Sequence, residues 1–180
     1  MNSGPTAPAD SPRDPAVSLE LRRIEEGLVL AELAHRSAHN SWLRLHYVLA
    51  VLTIASAAGS SALIAAGVTE RPALISMALT TSLTASLLAF LGAQEKAWQH
   101  NQALIDYASL RTNVRQARLI PENGSINGPA VVRHFAERRE RLRRILPSYS
   151  SFSFWRAKHM YAKGAMDYEV DRADIGLGND

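Results

Sequence analysis

The polar and apolar positions divide the chain at two long uncharged runs, Tyr47 to Thr69 and Pro72 to Gln94, separated only by Glu70 and Arg71. Each run is 23 residues long. At the α-helical rise of about 1.5 Å per residue each extends about 34 Å, slightly more than the roughly 30 Å hydrocarbon core of a bilayer. A transmembrane hairpin is therefore predicted, with spans over 47–69 and 72–94. A soluble helical pair with an Ala-rich core is the competing reading, since Ala, Ser and Thr make these runs less apolar than Leu-rich spans. Two uninterrupted uncharged stretches of that length favour the membrane.

The flanks read as helix. Residues 1–13 hold Pro, Ser, Gly and Ala without an apolar period and are expected to be a disordered leader. A helix over 14–46 is predicted to start with Asp14 as N-cap and Pro15 at its first position, where the missing N–H costs nothing. Alternating spacings of three and four run through Leu21, Ile24, Leu28, Ala31, His35, Ala38, Trp42 and Leu45. This coiled-coil-like seam enters the first span with no Pro or Gly between. After the second span the helical pattern continues over 95–120, with Leu104, Tyr107, Leu110, Val114 and Ala117 on one side, and stops at Pro121-Glu122-Asn123-Gly124. A hairpin sets its two ends side by side, so this helix is expected to lie antiparallel to the first seam. A basic amphipathic helix over 128–146 carries Val131, Phe135, Leu142 and Ile145 on one face, and 150–180 forms a short helix and a loose acidic tail. No stretch reads as a strand. The predicted fold is an all-α membrane protein: a two-helix transmembrane hairpin with long helical cytoplasmic extensions and one or two further C-terminal helices.

Charge sets the expected orientation. The chain carries 20 Lys and Arg against 17 Asp and Glu, and near the spans Arg36, Arg44, Lys96 and Arg111 lie on the termini side against a lone Arg71 in the turn. By the positive-inside rule both termini are cytoplasmic. The apolar run begins too far from Met1 for a cleaved signal peptide, so the first span is expected to act as an uncleaved anchor.

Within the spans, small residues recur every four positions at Ala58, Ala62 and Ala66 and at Ala78, Ser82 and Ser86. Hydroxyl residues Ser56 and Ser60, and Ser76, Thr80 and Thr84, lie two positions earlier, about 200° around the helix. The small faces are expected to pack within the hairpin. The hydroxyl faces would then turn to another subunit, to an aqueous path or to lipid, where a hydroxyl can bond back to its own helix. No Asp, Glu, Lys, Arg or His lies inside either run, which argues against an ion-coupled transporter.

Chemistry is sparse. The chain has no Cys, which removes thiolate catalysis and Cys-based metal sites. His35 and His39 are one turn apart, but no third ligand joins them at helical spacing, so they read as packing histidines and no metal or cofactor is expected. The serines around 148–153 have no triad context, no phosphate-cradling Gly loop occurs, and an enzyme is not expected. Arg133, Arg138, Arg141 and Arg144 are candidate contacts for anionic lipid, against a simply solvated helix; nucleic acid is disfavoured because only Phe135 interleaves the basic block.

Trp42-Leu43-Arg44-Leu45-His46 leading into Ala57-Ala58-Gly59-Ser60-Ser61, followed by Ala93-Gln94-Glu95-Lys96-Ala97 and then by His100, Tyr107 and Leu110, resembles the SLATT family. These are bacterial two-span effector domains associated with SMODS nucleotide synthases and SLOG sensors. The resemblance covers about residues 30–120 and implies an inner-membrane effector of an anti-phage defence system. Such an effector oligomerises to form a pore or disrupt the membrane, causing growth arrest or cell death. It implies no catalytic residue, and it makes Glu95, His100 and Tyr107 candidates for coupling the cytoplasmic helices to the spans. This chain carries no sensor or synthase domain, so a separate synthase or sensor protein is the implied partner. The other reading of the same residues is a non-conducting membrane anchor or scaffold that recruits a cytoplasmic partner.

Overall fold

A computed structural model describes residues 15–67, 71–119 and 128–165, and every regular element among them is helical. The expected leader, the acidic tail from Asp167, the Glu70 side of the hairpin turn and the Pro121 turn lie outside these described residues. Helix α1 spans Pro15–Ala65, α2 Arg71–Leu91, α3 Ala93–Leu119, α4 Gly128–Ile145 and α5 Ser151–Ala162.

The dominant element is α1, whose 51 residues extend about 77 Å without interruption. Its first half is amphipathic, and the predicted seam is what it buries: Val17, Leu21, Ile24, Leu28 and Ala31 pack with Tyr107, Leu110 and Val114 of α3 and Phe135 of α4. The last part of the seam, at Trp42 and Leu45, is only half-buried. A second cluster joins Val29, Leu33 and Ala34 to Ala157 of α5 and to Tyr149 in the linker before it. The outer part of α1 and all of α2 bury almost nothing. Both are long and apolar enough to cross a membrane, yet only 6% of each apolar window is buried.

Ion pairs fix the register between α1 and α3. Arg118 Nε lies 3.0 Å from Glu25, and Arg111 Nε lies 3.1 Å from Glu32, whose other oxygen takes Arg36 at 3.2 Å. Glu32 is only 2% exposed, a site where a carboxylate persists only with such partners.

Two expectations are corrected. The second span does not run smoothly into the following helix: Gly92 sits between α2 and α3 at φ +54°, a left-handed conformation that glycine adopts without a Cβ clash. In α4, Ile145 is 70% exposed, while Leu146, one turn after Leu142, joins the core in its place. Phe135, Leu142 and Leu146 hold α4 against the cluster of Val17, Leu21, Ile24, Leu28 and Ala31, and Arg133, Arg138, Arg141 and Arg144 are all exposed on it.

Candidate functional site

The hairpin is joined by hydroxyls, and this reverses the predicted arrangement of its faces. Thr53 donates to Thr84 at 2.8 Å, and Thr81 donates to Ser56 at 2.8 Å. Thr84 is the one buried residue of α2, and Ser56 and Ser60 are half-buried. Ala58, Ala62, Ala66, Ala78, Ser82 and Ser86 are all exposed, so the small faces point out and do not pack the hairpin. Ser76 and Thr80 are exposed as well, each bonded to a carbonyl of its own helix. Gly59 lies on the same inward side as Ser56 and Ser60, and Met77 of α2 occupies the space beside it, where a Cβ would stand 3.1 Å from Met77 Cε. Thr53 and Thr81 belong to the seam and were legible only as single hydroxyls outside the four-residue stripes.

Each seam hydroxyl also has an acceptor at home. Thr53 reaches the Leu49 carbonyl at 2.8 Å, Ser56 that of Leu52 at 2.7 Å, Thr81 that of Met77 at 2.9 Å and Thr84 that of Thr80 at 2.8 Å. A hydroxyl has one proton, so for Thr53 and Thr81 the cross-helix and intrahelical bonds compete for it.

Beyond the apolar hairpin, α1 and α3 meet through histidines. His35 Nδ1 lies 3.0 Å from His100 Nδ1, and His39 Nδ1 lies 2.8 Å from the Ala97 carbonyl. The first contact requires one ring to donate and the other to accept; the second requires His39 to donate. His35 stacks on Tyr107 at 5.3 Å between ring centroids and meets Tyr149 edge-on at 5.1 Å. Burial, reinforced by His100, lowers the His35 pKa from 6.5 to about 4. Burial and then His39 lower that of His100, while burial and then Tyr149 raise that of Tyr107. His100 also lines a cleft of about 740 Å³ with Trp42, Lys96, Tyr149 and Ser153, and Lys96 lies 4.6 Å over the Trp42 ring.

Of the three candidate coupling residues, His100 and Tyr107 meet at His35, whereas Glu95 is exposed and accepts from Gln99 at 3.1 Å. His35 is the residue the sequence undervalued, because its partner lies 65 positions away. Among the described residues no group of three metal-ligating side chains forms. Compared with known protein families, curated proteins and solved structures, the chain matches none of them.

Proposed function

We propose that this chain is a two-span effector of the bacterial inner membrane, with both termini cytoplasmic, whose copies assemble through their hairpins and breach the bilayer. Growth arrest or cell death follows, in a nucleotide-signalling defence system whose synthase or sensor is a separate protein. The observation that carries this reading is the exchangeable seam. When α1 and α2 part, every seam hydroxyl keeps a carbonyl of its own helix, so no buried polar group is stranded and separation costs mainly packing. Membrane hydroxyl bonds of this kind are worth about 0.6 kcal/mol on average, little enough for a neighbouring copy to compete for them. The outward small faces at Ala58 to Ala66 and Ala78 to Ser86 allow neighbouring backbones to come close. The resemblance of residues 30–120 to SLATT effectors supports the same reading.

Induced expression with a membrane-potential dye tests it. Depolarisation on induction together with the genomic neighbours is the expected result. Full polarisation with the protein in the membrane fraction would leave the second reading, a non-conducting anchor. That reading is favoured by α4, whose exposed guanidinium groups offer a basic face to an acidic cytoplasmic partner.

A further inference from the structure

The geometry points to a head-to-tail contact between copies of this chain, in which the aromatic and basic outer face of α5 meets the outer face of α3 in the next copy. This deepens the effector reading and rests on it, because spans fixed in one bilayer hold neighbouring copies parallel and at one height.

Both faces are exposed and anchored by large apolar groups. On α5, Phe152 and Trp155 are 60% and 62% exposed; on α3, Trp98 and Ile105 are 60% and 50% exposed. The α5 rings are already ordered. Phe152 stacks on Trp155 with centroids 6.1 Å apart and Trp155 on His159 at 5.9 Å, nearly parallel at 5°. A pre-stacked aromatic face loses little side-chain freedom on docking, which favours its use as an interface anchor.

The two faces match in height. On α3, Ala97 and His100 meet His39 and His35 of α1, which places Trp98 beside them. On α5, Phe152 and Ser153 line the same cleft as Lys96, Gln99 and His100, so α5 starts level with Trp98. Both helices then run away from the spans, since Tyr107 and Leu110 pack with Leu28 and Ile24 while Ala157 packs with Val29 and Leu33. Equal rise per residue keeps Trp155 and His159 abreast of the turns that lead from Trp98 to Ile105. The faces also match in charge: α5 contains Arg156 and Lys158 and no carboxylate, whereas Glu95 and Asp106 flank the Trp98 to Ile105 face of α3. Within one copy each face turns away from α1, because Ser153 and Ala157 of α5 and Ala97 and Ala103 of α3 fill the buried sides. Two unlike faces make a heterologous contact, which propagates into a ring or an open array rather than stopping at a two-fold dimer.

The chain has no cysteine, so introduced thiols report without background. The test oxidises membranes containing Gln102→Cys, Arg156→Cys or both, leaving the four apolar anchors in place. Joined dimers, trimers and higher species are expected from the double variant alone, with each single variant monomeric. Adding Trp155→Glu should reduce the ladder at least tenfold while carbonate still leaves the chain in the membrane. Dimers from Arg156→Cys alone would mean a symmetric contact and overturn the proposal. So would an unjoined double variant that remains in the membrane, and quenching of a probe at position 156 by headgroup-labelled lipid would then give the face to the bilayer surface. A chain stripped by carbonate overturns the membrane reading and this contact with it.

Discussion

Acidification should loosen the joint between α1 and α3, and the size of the effect follows from His35. In the unfolded chain this imidazole takes a proton near pH 6.5; in the fold it does so only near pH 4. Between those values the unfolded state binds more protons than the folded one, so stability falls as pH falls through 6.5. Linkage for that one group gives a loss of about 2 kcal/mol between pH 7.5 and pH 5, and about 3 kcal/mol once pH is below the folded value. His100 adds to the loss, since its pKa is lowered as well. A first proton on the pair leaves the Nδ1 to Nδ1 bond intact, because an imidazolium still donates to a neutral ring; a second proton makes both nitrogens donors and breaks it. The cleft at His100 gives protons a route in. The assay is urea unfolding in detergent micelles, followed by near-ultraviolet circular dichroism at pH 7.5, 6 and 5, above the carboxylate range. The same series on His35→Phe with His100→Phe should lose most of the pH dependence. A wild-type midpoint unchanged between pH 7.5 and 5, or a slope equally steep in the double variant, would refute the reasoning.

Three further outcomes test the packing. Thr84→Val should destabilise the hairpin by about 0.6 kcal/mol in SDS-driven unfolding from mixed micelles, whereas Thr80→Val, which removes only an outward hydroxyl, should not shift the curve. Glu32→Gln withdraws charge from between Arg36 and Arg111 and should cost about 3 kcal/mol by urea midpoint; Glu32→Leu with Arg111→Leu should recover most of it, since a buried pair replaced by apolar groups is often neutral. Replacing Arg133, Arg138, Arg141 and Arg144 together by Gln should leave carbonate-resistant membrane retention unchanged, because the two long uncharged runs and not the surface charge of α4 would hold the chain in the bilayer.

The all-helical character and the two long apolar helices were legible because they depend on local signals, the heptad spacing from Leu21 and the length of the uncharged runs. The break at Gly92 was less so: glycine within an apolar run reads equally well as helix, and only the φ of +54° marks the joint. The faces of the hairpin were misjudged for a related reason. Residues two apart on a helix lie on opposite sides, so the sequence defines a small face and a hydroxyl face without saying which turns inward. The inward side is marked at Gly59, where Met77 fills the space beside the missing side chain. His35 and His100 are unremarkable until α1 and α3 lie antiparallel. Pairing between residues 65 positions apart is where helix-period reasoning ends.

The two arms between the helical bundle and the apolar hairpin differ in kind. α1 crosses the boundary as one helix, so any tilt or rotation of its Leu21 to Ala38 seam is carried into Thr53 and Ser56. α2 reaches the bundle only through Gly92, where a side chain would meet no atom within 4 Å. The histidine contact and the Glu32 pair tie α3 to α1 on one side of that joint, and the hydroxyl seam ties α2 to α1 on the other. A change in how α3 sits on α1 thus reaches α2 across the glycine joint and reaches the outer half of α1 along one unbroken helix. The strain of such a change is met between α1 and α2 by the seam of Thr53, Ser56, Thr81 and Thr84, which can part without stranding a polar group, because each hydroxyl keeps a carbonyl of its own helix.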